Sequence, residues 1–337
     1  MQQFKTALGV TLALAAIACT QNAIACAACD STLSKDWETQ GISSKSGFSA
    51  DLSYTTLNQN QQRYGSAKAS GALIDTQNAA GQEIEAFTKT QTITAALSYT
   101  GENFALSFML PLVNRTHGTY GNGPAAIGSS YSTSSDSGLG DIRVVGRYNG
   151  FSSEKTSGII AGIKLPTGNT GANFTAGTNA GLPLDAGLQI GTGSTDIIFG
   201  GYTSGSMHEY GWFAQGTVQH AVSTDAALAG FSYRPGDAYT VNTGIRYAEF
   251  GAKITPMLQL NIIKRQADSG TGVPLDPLTN VPVSGGTLAY LAPGVSIRAG
   301  DGMSVYGFVQ LPVYQKVNSL QIVPQYTLTL GVRQSFE

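Results

Sequence analysis

The sequence predicts an all-β fold: a single up-and-down antiparallel transmembrane β-barrel of about 12 strands. Three observations predict it. Apolar and polar residues alternate in segments of about ten residues. The connections between these segments are alternately short and long, and aromatic residues gather at the short ones.

Composition narrows the class before any strand is placed. Charged residues are 12% of the 337 positions, against about a quarter in ordinary soluble proteins, while glycine supplies 42 residues. Beyond the N-terminus no apolar run approaches the roughly 20 residues a membrane-spanning helix needs. Basic patches interleaved with aromatics are missing, so nothing points to nucleic acid.

Residues 1–25 read as a secretory signal peptide. Lys5 precedes an apolar run from Ala7 to Ala18, and Ala23-Ile24-Ala25 supplies small residues at the cut. Export then leaves Cys26 and Cys29 at the head of a segment, 26–46, that serves as a periplasmic tail or a plug folded into the barrel. The two cysteines are open to three roles: a local disulfide, metal ligation, or lipid attachment. A metal site would require further ligands from elsewhere, and no second cysteine pair exists. No cofactor is expected.

The barrel itself is assigned to 47–337. The clearest strands are Phe48 to Tyr54, Phe104 to Leu110, Tyr239 to Tyr247 and Tyr326 to Val332, each apolar on one face and Ser, Thr, Asn or Arg on the other. A soluble sandwich alternates too, so the connections decide. Short turns are expected at 101–103, 150–156, 205–209, 251–253 and 300–302. Polar loops are expected at 58–85, 114–138, 167–189, 223–237 and 267–285, with a shorter one at 316–319. Short turns on the periplasmic side and long loops outside is the outer-membrane pattern. Tyr99, Phe104, Tyr148, Phe151, Tyr202, Tyr210, Trp212, Tyr247 and Phe250 cluster at the short turns, with Phe48 and Phe336 at the barrel ends, as an interfacial girdle requires.

The last strand carries Leu328, Leu330, Val332 and Phe336 at alternate positions. It resembles the C-terminal signal read by the barrel-assembly machinery, with Glu337 as a departure. Leu110-Pro111, Leu165-Pro166 and Leu311-Pro312 are read as marks of the outer rim, because proline lacks the N–H a ladder uses.

Ser137-Gly138-Leu139-Gly140-Asp141-Ile142, read as opening a strand, and Leu165-Pro166-Thr167-Gly168, read as closing the next, together resemble the meta-pathway phenol-degradation family of outer-membrane proteins. That resemblance implies an outer-membrane barrel associated with uptake of organic compounds, and it supplies no specific solute.

Strand parity nominates the lumen. Arg143, Arg147, Lys164, Arg246, Arg265, Arg298 and Arg333 fall on the polar face, against fewer acids: Asp51, Asp141, Asp196 and Glu249. The excess points either to an anion-favouring pore or to a structural network filling it. The expected function is passive passage of small solutes. The alternatives are a plugged adhesin or receptor, a metal-handling protein, and an outer-membrane lipase or protease. For the last, His117, His208 and His220 are the histidines, and His220 with Ser223 carries no nucleophile motif, so the expectation is no enzyme. The partners expected are outer-membrane lipids and the assembly machinery, with oligomeric state and solute unassigned.

Overall fold

The structure is a computed structural model that describes residues 32–37, 39–42, 46–121, 130–152, 154–224, 232–247, 253–271 and 273–336. The signal segment, Cys26, Cys29, Glu249, Phe250 and Glu337 lie outside these.

Alternating sequences with β-branched and aromatic residues form the strands. In order these are β1 (Gly47–Tyr64), β2 (Ala67–Lys68), β3 (Ile84–Thr100), β4 (Phe104–Tyr120), β5 (Tyr131–Leu139), β6 (Arg143–Tyr148), β7 (Ser157–Lys164), β8 (Ala176–Gly177), β9 (Ser194–Met207) and β10 (Tyr210–Thr224). They continue as β11 (Ala238–Tyr247), β12 (Ile254–Arg265), β13 (Gly286–Arg298), β14 (Met303–Val317) and β15 (Leu320–Phe336). One helix, α1 (Gly71–Ala79), is capped by Ser70, whose hydroxyl accepts from the Leu73 N–H at 3.3 Å.

Each strand pairs antiparallel with the next around a ring, and β1 closes it against β15 from Phe48↔Phe336 to Tyr64↔Leu320. β5 and β6 act as one interrupted strand, both pairing with β4, while β2 and β8 are short accessories. The closed sheet therefore has 12 members and no free edge in the hydrocarbon layer.

The outward face is an apolar band. Leu52, Leu97, Leu106, Phe108, Leu112, Ile197, Phe199, Val241 and Ile245 are all exposed on it. On β4 the band runs from Phe104 to Leu112, about 27 Å along a strand, or roughly 20 Å along the axis of a barrel tilted by ~40°. At its periplasmic edge the aromatics pair off: Phe48 with Tyr99 at 5.0 Å, Tyr148 with Phe151 at 5.0 Å and Tyr210 with Tyr247 at 5.1 Å between ring centroids. Tyr202 departs from the girdle. It sits opposite Gln215 in register and turns inward, because residues paired across a ladder share a face.

Three expectations need correction. Loops 58–85 and 114–138 are shorter than expected, because β1 continues to Tyr64 and β4 to Tyr120, and α1 occupies part of the first. Beyond the bilayer both faces are polar, so the alternation stops signalling while the ladder continues. The stretch Gly140 to Ile142 does not open a strand but breaks one, between β5 and β6. Finally, Pro111 and Pro312 stand in mid-strand. Pro111 lies where β4 changes partner, from β6 through Met109 to β5 from Leu112. Pro312 follows the last β14–β15 pair, Gln310↔Thr327. At both points the ladder needs no N–H.

Candidate functional site

A tube whose inner residues are short and polar leaves space, and here the chain fills that space with its own N-terminal segment. Residues 32–37 and 39–42 lie inside the barrel. Around Asp36 they form a tight turn, with the Gln40 N–H bonded to the Asp36 carbonyl at 3.2 Å and the Ile42 N–H to Trp37 at 3.0 Å. The Asp36 carboxylate caps it by accepting from the Thr39 N–H at 3.2 Å. Gly41, at φ 66°, closes the turn in the left-handed region that favours glycine.

Wall side chains grip this segment along its length. At mid-barrel the Thr32 hydroxyl donates to Gln310 at 2.9 Å, and the Asn242 amide donates to the Thr32 carbonyl at 2.7 Å. Gln259 donates to the Ser34 carbonyl at 3.2 Å, and the Thr39 hydroxyl to Gln215 at 2.9 Å. Nearer the periplasm, Arg246 donates to the carbonyls of Gln40 and, at 2.6 Å, Gly41. Arg147 forms an ion pair with Asp36. The apolar side is one cluster: Leu33 and Trp37 pack with Met257, Ala292, Tyr306 and Phe308, the indole meeting the Tyr306 ring edge-on at 4.8 Å. Such an aromatic contact adds about 0.5–1.5 kcal/mol beyond area burial.

The strand register gives the seven basic residues, with Asp51 and Asp196, the parity opposite to the exposed apolar residues of their strands. Ala105↔Arg147↔Ile160, Met109↔Arg143↔Lys164↔Asp196 and Asp51↔Arg333 are paired rows, opposite in parity to Leu106, Phe108 and Ile197. They are not brought together in one ring. Arg265 stands at the outer end, 3.5 Å from Asp268, and Arg298 is exposed at the periplasmic mouth. Arg333 bonds the Ser49 hydroxyl at 3.4 Å on the last strand.

Lys164 lies in a buried knot. Its ammonium is 2.9 Å from Asp196 and 3.4 Å from Asp141, and it also donates to the Ser194 hydroxyl at 3.0 Å and to Thr192. The same Asp141 accepts from the backbone N–H groups of Gly168 and Thr192, both at 3.0 Å. Thr167 donates to the Gly140 carbonyl at 2.8 Å and accepts from the Ile142 N–H at 2.9 Å. The two stretches that carried the family resemblance thus meet at one corner, where the wall strand breaks and the loop 165–193 departs. Glycine is required there: a Cβ on Gly168 would sit 2.5 Å from the Gly191 Cα.

That loop covers the outer mouth. Ala172, Phe174, Leu184 and Leu188 make a small core, and Arg115 donates to the carbonyls of Leu188 and Gln189 at 3.1 and 2.7 Å. Glu83, beside Asp185 in this collar, has its carboxyl held well above the usual carboxylate range, by burial first and by the Asp185 charge second. On the far side Asp276 ties the loop 266–285 to Gln77 and Ser319, at 3.1 and 2.7 Å.

The His220 Nδ1–H donates to the Asp237 carboxylate at 2.7 Å, while Nε2 accepts from the Arg234 guanidinium at 2.9 Å. Arg234, and not Ser223, therefore faces the nitrogen a relay would use. No group of three His, Cys, Asp or Glu suited to a metal ion occurs among the described residues. Asp36, Gln215, Gln259 and Tyr306, which touch the inner segment or form part of it, were not among the residues nominated from the sequence. Leu33, Trp37 and Ile42 in the largely polar stretch 30–46 were the available signal.

No family model and no curated protein matches the chain. Among solved structures, an outer-membrane channel from Pseudomonas putida superposes with TM-score 0.58 at 12% identity, over 87% of this chain and 97% of that one. The transport unit of the autotransporter AIDA-I from Escherichia coli gives 0.47 at 12% identity, over 87% and 91%. The CymD monoaromatic hydrocarbon channel gives 0.45 at 9% identity, over 89% and 90%. The first of these shows a shared fold, and with the closed ladder and the apolar band it identifies the chain as a transmembrane β-barrel.

Proposed function

We propose that this protein is an outer-membrane channel for passive passage of small solutes, and that the inner segment with residues 32–37 and 39–42 closes it. The observation that carries the reading is the inner segment itself. It belongs to no strand, and its grip is a set of side-chain contacts, which can be given up without opening the barrel ladder. A filled eight-stranded barrel has no room for such a segment, whereas a 12-stranded one does. The basic inner face supports a preference for anions, with Arg143, Arg147, Arg246 and Arg333 near the path and Lys164 neutralised by Asp141 and Asp196. Passage of organic compounds is consistent with the apolar surface that Leu33 and Trp37 cover.

The test is conductance in planar bilayers of the intact protein and of a variant lacking residues 32–42. The variant is expected to conduct at least tenfold more, with a reversal potential on the anion side in a salt gradient. A variant that folds and conducts nothing would end the channel reading and favour a plugged adhesin or receptor, whose binding surface would be the collar of outer loops.

A further inference from the structure

We infer that the inner wall from β10 to β14 is a binding site for a short peptide with one bulky apolar side chain, and that Thr32-Leu33-Ser34 is its tethered occupant. The wall there carries a row of carboxamides. Gln215, Asn242 and Asn261 stand opposite one another in register on β10, β11 and β12, and Gln310 on β14 continues the row. They are joined head to tail: Gln215 donates to Asn242 at 3.4 Å, Asn242 to Asn261 at 2.6 Å and Asn261 to Gln310 at 3.5 Å.

A carboxamide has two N–H donors and an oxygen with two lone pairs, so the bonds along the row use only part of each. Other positions meet the inner segment. Asn242 also donates to the Thr32 carbonyl at 2.7 Å, the Gln310 oxygen accepts from the Thr32 hydroxyl at 2.9 Å, and the Gln215 oxygen accepts from the Thr39 hydroxyl at 2.9 Å. Gln259, beside the row, donates to the Ser34 carbonyl at 3.2 Å.

Wall donors thus reach the backbone carbonyls of Thr32 and Ser34, and the side chain between them, Leu33, packs with Met257, Ala292, Tyr306 and Phe308. Main-chain bonds beside an apolar pocket are a way to read a peptide: the bonds accept any sequence and the pocket selects the side chain. The bonds along the row hold its amides in place, which lowers the cost of ordering them around a new ligand. A solute with amide groups and an apolar side chain satisfies both the row and the pocket. A sugar satisfies the row alone.

The role of this site in transport rests on the channel reading, whereas the binding step is measured without conductance. The variant lacking residues 32–42 and the intact chain are compared in detergent, each checked for the folded barrel by its heat-modifiable shift on gels. Calorimetric titration uses the capped tripeptides acetyl-Thr-Leu-Ser-amide and acetyl-Thr-Gly-Ser-amide, and maltose. The leucine peptide should bind the deletion variant saturably and about tenfold or more tighter than the glycine peptide or maltose bind it. Its affinity for the intact chain should be lower by about tenfold or more, because the chain's own segment holds the site. Asn242→Leu in the deletion variant removes the donor to the first carbonyl and should weaken the leucine peptide about tenfold.

Equal binding to the intact and deleted chains, a glycine peptide or maltose bound as tightly as the leucine peptide, or an unchanged affinity in Asn242→Leu overturns the proposal. Should the deletion variant not fold, Trp37→Ala, which loosens the segment in place, takes its part in the titrations. Should Asn242→Leu not fold, the comparison of leucine with glycine peptide decides. A deletion variant that conducts without binding the peptide keeps the channel reading and ends this inference, and one that binds without conducting does the reverse.

Discussion

Lys164 and Arg147 stand on neighbouring strands, face the same lumen and are both nearly inaccessible, yet they are held in different ways. The ammonium of Lys164 is enclosed by Asp141 and Asp196, one at the strand break and one on β9. Arg147 meets its carboxylate on a segment that no ladder fixes. The first arrangement is scaffold, since nothing short of unfolding separates the charges. The second is a latch, since its two halves can part while every strand stays paired. Inward orientation alone does not distinguish them. The location of the counter-charge does.

The largest effect should come from breaking the scaffold. Lys164→Met leaves Asp141 and Asp196 buried near each other without a cation, a loss of about 3–5 kcal/mol. Refolding yield and the heat-modifiable shift of the barrel on gels would show it. Arg147→Gln should leave that shift nearly unchanged and raise conductance instead. Equal damage to barrel stability from both substitutions would collapse the contrast.

Next in size is Trp37→Ala, which removes the largest apolar contact of the latch and none of the scaffold. The open fraction in bilayers should rise severalfold, with the melting temperature of the barrel within a few degrees of the parent. Somewhat smaller is Gly168→Ala, which tests the corner from the backbone side. A Cβ there must push against the Gly191 Cα, at a cost of about 1–3 kcal/mol of overpacking. Its effect belongs in stability and not in open probability; a conducting, fully stable Gly168→Ala protein would mean the corner is not the anchor.

The contrast also explains what could be read beforehand. The 12-stranded ring and the inward face of the charges follow from period-two alternation, because a lipid-facing side chain and a lumen-facing one answer to different solvents. The outer extension of β1, through Gln59, Gln61, Gln62 and Arg63, has water on one side and polar loops on the other, so no alternation marks it as strand. A plug was one of the two readings of 26–46, but its contacts were illegible for another reason. Arg246 and Gln40 are 206 residues apart, and a backbone carbonyl as partner leaves no trace in residue type. Parity gives the side a charge faces and says nothing of what it meets there.

The smallest effect tests the outer collar, which lies past the apolar band and carries two acids shifted in opposite directions. Glu83 is raised, by burial and then by Asp185. Asp276 is also pushed up by burial, but the Ser319 hydroxyl and the N–H groups of Leu278 and Thr279, at 2.7, 2.9 and 3.1 Å, outweigh that and hold it below the usual range. A raised carboxyl contributes stability below its unfolded pKa of about 4.3, which is lost as pH rises through the folded value. A lowered one contributes above about 3.9 and is lost as pH falls through the folded value. Glu83→Gln should therefore match the parent at pH 4 and melt higher than it as pH rises, by a few degrees. Asp276→Asn should do the reverse, melting lower than the parent at pH 7 and converging with it in acid. Melting differences that stay flat across this range in both variants would mean that the collar, like the latch, is held by packing and backbone contacts and not by its carboxylates.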